Sequence, residues 1–261
     1  MPGIVRYRYL FEQMVRRELR QRYKGSVLGV VWYLVNPLVL MGAYWLMFGR
    51  LIPSVAEKDY PLFLMVGLII WIFFSQSVLG ASTAFIEYSS LIGQVRFPRA
   101  TIPASAVTVQ LVTFGVLLLL LLPIIVVIRG TFHPALLLLP GLVACLFAFV
   151  LGFALVIAVL HAYFRDVQPI LAAVLLPWFF LSPIFFRPER LPGVQGNEWA
   201  QVALTWLNPV APFIDATRSV LYDGAAPGGW TLLYVLLAAG LTLGFGRLVF
   251  SRLQRELAVV V

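Results

Sequence analysis

Trp71, Phe73 and Phe74 stand together in one long apolar stretch, and Trp178, Phe179 and Phe180 in another. Polar side chains in such stretches are neutral, among them Asn36, Ser75, Gln76, Ser77, Gln110 and Ser182. Aromatic faces accept the apolar faces of pyranose rings, while amides and hydroxyls take the ring hydroxyls. The same rings also pack well against lipid, so each triplet has two readings. Asn36, Trp71, Phe74, Gln76, Gln110 and Trp178, with Trp199 and Trp206 further on, are the candidate contacts for a solute.

Covalent chemistry has no comparable support. The chain shows no Ser-His-Asp set, no H-E-x-x-H motif and no acid pair placed for glycosyl transfer. His133 and His161 each lack a second ligand at metal spacing, and Cys145 is the single cysteine. A G-x-x-x-x-G-K-[ST] loop is absent, so this chain is not expected to hydrolyse ATP. The expectation is a protein without catalytic residues, metal or cofactor of its own.

The elements that carry these residues are set by charge. Six stretches hold no Asp, Glu, Lys or Arg: 25–49, 60–86, 100–128, 130–164, 167–186 and 224–246. The shortest is 20 residues. A helix rises about 1.5 Å per residue, so about 20 residues cross the hydrocarbon layer of a bilayer. The chain is 61% hydrophobic and 11% charged. It reads as an all-α, six-span membrane protein forming one transmembrane domain over 1–261. With no charge inside a span, the usual relay of a proton- or ion-coupled transporter is missing.

Basic residues predict the orientation. With the N-terminus in the cytosol, 13 of 19 Lys and Arg fall on the inside, against 5 of 11 acids. Cytoplasmic loops carry such an excess, so both termini are expected inside. Topology thereby accounts for the net +8 charge, and nucleic acid is not an expected partner.

Residues 1–24 then precede the first span. Within 4–24, Tyr7, Leu10, Phe11, Met14 and Leu19 recur at helical spacing, and Arg16, Arg20 and Lys24 follow at i, i+4, i+8. This predicts an amphipathic helix along the inner membrane surface, its basic face toward lipid headgroups. Residues 87–103 predict a short cytoplasmic amphipathic helix ending in prolines. Leu91, Ile92, Val95, Phe97, Pro98 and Arg99 would form a docking surface for a soluble partner. The other cytoplasmic loop places Arg165 and Asp166 at the membrane edge, as a solvated helix end or an inner gate. On the outside, 187–223 contains a 16-residue charge-free run from Trp199 to Ile214, too short to span. It predicts a re-entrant hairpin: Asn197 caps its first helix, Asn208-Pro209 starts the second, and Gly224 ends it.

Four runs carry a resemblance. Residues 22–38 (RYKGSVLGVVWYLVNPL), 91–103 (LIGQVRFPRATIP), 163–167 (YFRDV) and 181–185 (LSPIF) are similar, in order, to motifs of type-2 ABC exporter permeases. More narrowly the chain resembles the permeases that export polysaccharides and polyol phosphates such as O-antigen, capsule and teichoic acid. The resemblance implies a homodimer with two copies of a separate ATPase subunit, which would bind ATP and Mg. It implies a bacterial inner membrane, and a substrate linked to undecaprenyl diphosphate and moved outward. Leu91 to Arg99 would then dock the ATPase, and Arg165 and Asp166 would gate the inner end of the path. The alternatives are a permease for a small hydrophobic drug or lipid, and an integral-membrane lipid-carrier enzyme.

Overall fold

The computed structural model describes residues 7–21, 31–51, 57–94, 97–129, 133–191, 193–194 and 196–254. Among the described residues the fold is all-helical, with no strand. In chain order the helices are α1 (Arg8–Gln21), α2 (Trp32–Tyr44), α3 (Tyr60–Glu87), α4 (Ser89–Gln94), α5 (Thr101–Arg129), α6 (Leu139–Tyr163), α7 (Val167–Leu181), α8 (Glu198–Val202), α9 (Ala211–Arg218) and α10 (Gly229–Leu253). Helix α2 continues as a π-helical turn, Trp45–Leu51, and π turns also extend α8 (Ala203–Leu207) and α9 (Ser219–Asp223).

Helix α3 is the axis of the bundle. Of its most apolar window 83% is buried, against 6% for α2 and 17% for α10. It packs on α2, α5, α6, α7 and α9, while α10 packs on α6 and α9. An apolar helix is silent about its neighbours; here the side chains settle it. Phe63, Leu64, Val66, Leu68 and Ile70 of α3 are fully enclosed.

Five helices among the described residues are long and apolar enough to cross a membrane: Leu34–Leu51, Tyr60–Glu87, Thr101–Ile128, Pro134–Tyr163 and Gly229–Leu253. The sixth expected span, 167–186, is shorter than the charge-free run suggested. Helix α7 has 15 residues, a length of about 22 Å at 1.5 Å per residue. Its end has a local cause. A residue before proline is pushed out of helical geometry, and Ser182, which precedes Pro183, takes ψ 143°. Residues 182–186 leave the helix, and their carbonyls need donors from elsewhere.

Those donors come from the hairpin end of the bundle. The Tyr60 hydroxyl donates to the Phe185 carbonyl at 2.7 Å. The Arg218 guanidinium donates to Pro183 O at 2.8 Å and Ile184 O at 3.1 Å. Asn197 caps α8, its side chain accepting from Ala200 N. Asn208 does not cap α9 as expected; Val210 is the capping position. Its Oδ1 instead accepts from Val210 N at 3.1 Å and folds the connection into an Asx turn. Gly224 ends the segment at φ +68°, where a Cβ would meet the His133 ring. Residues 198–223, the hairpin segment, are two short helices joined at residues 208–210; the second, Ala211–Arg218, is largely buried in the bundle.

Helices α6 and α10 cross at contact distance between backbones. A Cβ on Gly152 would land on the main chain of Thr242, and one on Gly246 on the carbonyl of Gly152. Small residues permit such an approach, and dispersion between the two backbones replaces side-chain packing.

Candidate functional site

The two aromatic triplets meet. Trp71 lies 6.0 Å from Trp178 and 5.6 Å from Phe179, and Phe74 lies 5.3 Å from Trp178, between ring centroids. The cluster extends through Phe149 to Phe213 and through Phe179 to Phe185 and Tyr44. Edge-to-face and offset pairs of this kind contribute about 0.5–1.5 kcal/mol each beyond area burial. They join α2, α3, α6, α7 and α9.

The candidate solute contacts lie in unlike surroundings. Trp71 and Phe74 are 6% and 1% exposed, and Gln110 is 4% exposed. All three lie in the interior of the subunit: Trp71 is covered by Trp178 and Phe179 of α7, and Phe74 by Trp178 and by Phe149 and Phe153 of α6. Trp178 is half-buried, and its indole N–H is occupied: it donates to Asn208 Oδ1 at 2.9 Å. Asn208 Nδ2 in turn donates to the Ser182 hydroxyl at 2.9 Å, and that hydroxyl donates to Trp178 O. Asn36 of α2 and Gln76 of α3 are exposed. Trp199, in the first turn of α8, is exposed. Trp206 is half-buried beside Tyr234 of α10, whose hydroxyl donates to Trp206 O at 3.1 Å. With Trp230, Leu233 and Leu237 these two rings line an apolar groove of about 390 Å³.

Sequence reasoning passed over Arg218. It is 3% exposed, and its cation sits 3.6 Å above the Phe63 ring. Besides Pro183 and Ile184 it donates to Phe63 O at 3.4 Å. The described residues give it no ion pair; burial, then the neighbouring Arg187, lowers its pKa to about 9. Neutral pH leaves the cation intact. The available signal was its place four residues beyond the charge-free run, on the hydrophobic side of a short helix. Around it, Arg187 binds both oxygens of Asp223, at 2.7 and 3.0 Å. Glu57 accepts from Arg190 at 2.9 Å and lies 3.5 Å from Arg187 Nε. The segment before α3, the residues after α7 and the hairpin are thus tied together by charge.

At the opposite end, α4 follows α3 after a turn at Tyr88. Leu91 and Phe97 are half-buried against the subunit's own core, and Pro98 O accepts from Thr101 N at 3.0 Å. Arg99 is half-buried, and its guanidinium donates to the Gln254 carbonyl. Val95 and Lys24 lie outside the described residues, as does the side chain of Ile92. Arg165 and Asp166 are exposed at the turn between α6 and α7. On α1, Arg16 pairs with Glu12 at 2.5 Å, and Arg17 lies over the Tyr88 ring, which ties α1 to the end of α3. Arg16, Arg17 and Arg20 line an open groove of about 410 Å³ with Gln13 and Gln21. No group of three or more His, Cys, Asp or Glu among the described residues could hold a metal ion.

The architecture defines a polytopic helical membrane protein without a visible catalytic constellation among its described residues. A family model described as ABC-2 type transporter matches residues 9–222. The chain belongs to that family. It is 31% identical over 261 residues to the O-antigen export system permease protein RfbA of Myxococcus xanthus, covering 98% of this chain and 96% of the relative. It is 27% identical over 262 residues to the protein of the same name from Klebsiella pneumoniae, covering 97% and 96%. With the polysialic acid transport protein KpsM of Escherichia coli it shares 28% identity over 243 residues, or 90% of each chain.

Proposed function

We propose that this chain is the permease subunit of an ATP-driven exporter that moves an undecaprenyl-diphosphate-linked polysaccharide from the cytoplasmic to the outer face of the bacterial inner membrane. The observation that carries the reading is the near full-length similarity to permeases named for O-antigen export and polysialic acid transport. Two copies of the chain form the path, with both termini in the cytosol. Two copies of a separate ATPase subunit bind ATP and Mg and dock on the α4 region.

The surface chemistry supports a path between copies. An amide facing hydrocarbon without a partner costs several kcal/mol, on the order of 4–8 on an alkane scale. Asn36 and Gln76 nevertheless stand exposed on membrane helices. A second copy and a hydrated glycan between the two subunits would satisfy them. The glycan slides because its contacts are many, weak and uncharged. Trp178 and Trp199 are the aromatic surfaces open to it. Arg165 and Asp166 border the inner mouth, and the hairpin borders the outer one. The basic groove on α1, through Arg16 and Arg20, would meet anionic headgroups.

Deletion of the chain tests the reading in cells. The expected result is loss of surface polysaccharide and accumulation of lipid-linked polysaccharide on the cytoplasmic side. Normal surface glycan with altered drug sensitivity alone would overturn it in favour of a small hydrophobic substrate.

A further inference from the structure

The last carbonyls of a helix have no partner within it. At the end of α10 two of them are taken from outside. The Tyr163 hydroxyl donates to Leu253 O at 2.7 Å. The Arg99 guanidinium donates to Gln254 O, 155 residues away in sequence. A cation at this end of a helix also complements the negative pole of its dipole.

We propose that Arg99 and Tyr163 are positioning residues that join the ATPase-facing segment to the α6–α10 pair, so that a displacement of that segment moves α6 and α10 as well as α3 and α5. This rests on the reading that the α4 region meets an ATPase. Three observations carry it beyond a helix cap.

Arg99 projects from a fixed turn. Thr101 donates to Pro98 O through its backbone N–H at 3.0 Å and its hydroxyl at 2.7 Å, and Ile102 N donates to Arg99 O at 3.1 Å. Phe97 packs on the core just before it. The Arg99 stem therefore moves with the docking segment rather than swinging free.

Tyr163 is the last residue of α6. Its bond makes the inner end of α6 and the inner end of α10 one body. Farther along the same pair, Gly152 and Gly246 bring the two backbones into direct contact, so α6 and α10 pack as a pair over their length. A pull on Gln254 is thus delivered along α6. Helix α6 leads directly through Phe164, Arg165 and Asp166 into α7. The inner turn that borders the proposed path lies at the end of this lever.

Arg99 spends its guanidinium on its own chain. That bond gives it a role its apolar neighbours in the docking segment lack, the joining of that segment to α10.

The experiment uses the full chain with its ATPase partner. Arg99→Gln, Arg99→Lys and Tyr163→Phe are expressed in cells deleted for the chain, and surface glycan is quantified. Assembly, ATP turnover and ATP-dependent glycan transport are measured on the purified complexes in sealed proteoliposomes. Amide hydrogen exchange is followed at residues 250–254. Arg99→Gln and Tyr163→Phe are expected to lower glycan exported per ATP by about tenfold, the scale of one lost charge-assisted or buried hydrogen bond. Assembly and ATP turnover stay near wild type, and exchange at the end of α10 quickens. Arg99→Lys, which can still donate to Gln254 O, recovers most of the export. Unchanged export per ATP in both variants overturns the proposal. So does a parallel fall of assembly, ATP turnover and export, which marks a structural role alone. If the wild-type complex moves no glycan with ATP, the exporter reading fails instead, and the exchange measurement still reports whether the joint exists.

Discussion

Arg218→Ala is expected to leave little folded protein in the membrane. The substitution removes the donors to Pro183 O, Ile184 O and Phe63 O, and it empties the space above the Phe63 ring. Pro183 O and Ile184 O would be buried without a donor at about 1–3 kcal/mol each, so the loss reaches about 2 kcal/mol or more before the emptied space is counted. That is a large share of a typical folding free energy of about 5–15 kcal/mol. Helix α7 would lose the tether that holds its broken end, and the hairpin would lose its seat on α3. Arg218→Lys is expected to fall between, since one ammonium cannot reproduce a planar fork that meets three carbonyls. Accumulation in membranes and the melting temperature in detergent read the effect. A melting temperature within one or two degrees of wild type for Arg218→Ala would show that the carbonyls find water or other donors.

Gly152→Ala is the second large effect. The added Cβ would occupy the place of Thr242 main-chain atoms, and backbone cannot turn aside as a side-chain tip can. Overpacking of this kind costs about 1–3 kcal/mol, occasionally more. The control is Gly240→Ala on α10, where a Cβ meets nothing within 4 Å. Gly152→Ala is expected to lower the melting temperature by several degrees and to loosen α6 from α10, while Gly240→Ala leaves it unchanged. Equal behaviour of the two variants would mean that the helices separate at no cost.

The spans were legible because a bilayer imposes a length and forbids charge. Charge-free runs therefore mark the membrane helices well, and five of the six runs carry long helices. The run 167–186 misled because apolar composition and helicity are separate properties. Ser182-Pro183 breaks the helix while Ile184, Phe185 and Phe186 keep the run apolar. Asn197 and Gly224 were legible as helix punctuation because capping is local chemistry.

The facing of side chains was far less legible. In an all-apolar helix no periodicity separates core from surface, so Trp71 and Phe74 could not be told from wall residues. Their burial is decided by rings of α6 and α7, of which Trp178 lies more than 100 residues away in the chain. Arg218 was counted as an outer-loop charge because its carbonyl partners exist only once α7 has broken. The acceptor of Arg99, Gln254 O, was equally illegible, because it is supplied by the far end of the chain. Leu91 and Phe97 of the expected docking surface also pack against the core.

Outward carriage of lipid-linked polysaccharide by this chain and an ATPase is the proposed function. Inside-out membrane vesicles test it most directly. They are prepared from cells that have accumulated the lipid-linked glycan after depletion of the chain, then supplied with the purified complex by fusion of proteoliposomes. Added ATP should render the glycan inaccessible to an external glycosidase, as it passes from the exposed cytoplasmic face into the lumen. Protection should need the chain, the ATPase and hydrolysable nucleotide together. Glycan that stays fully digestible while ATP is hydrolysed, or that becomes protected without this chain, would contradict the account.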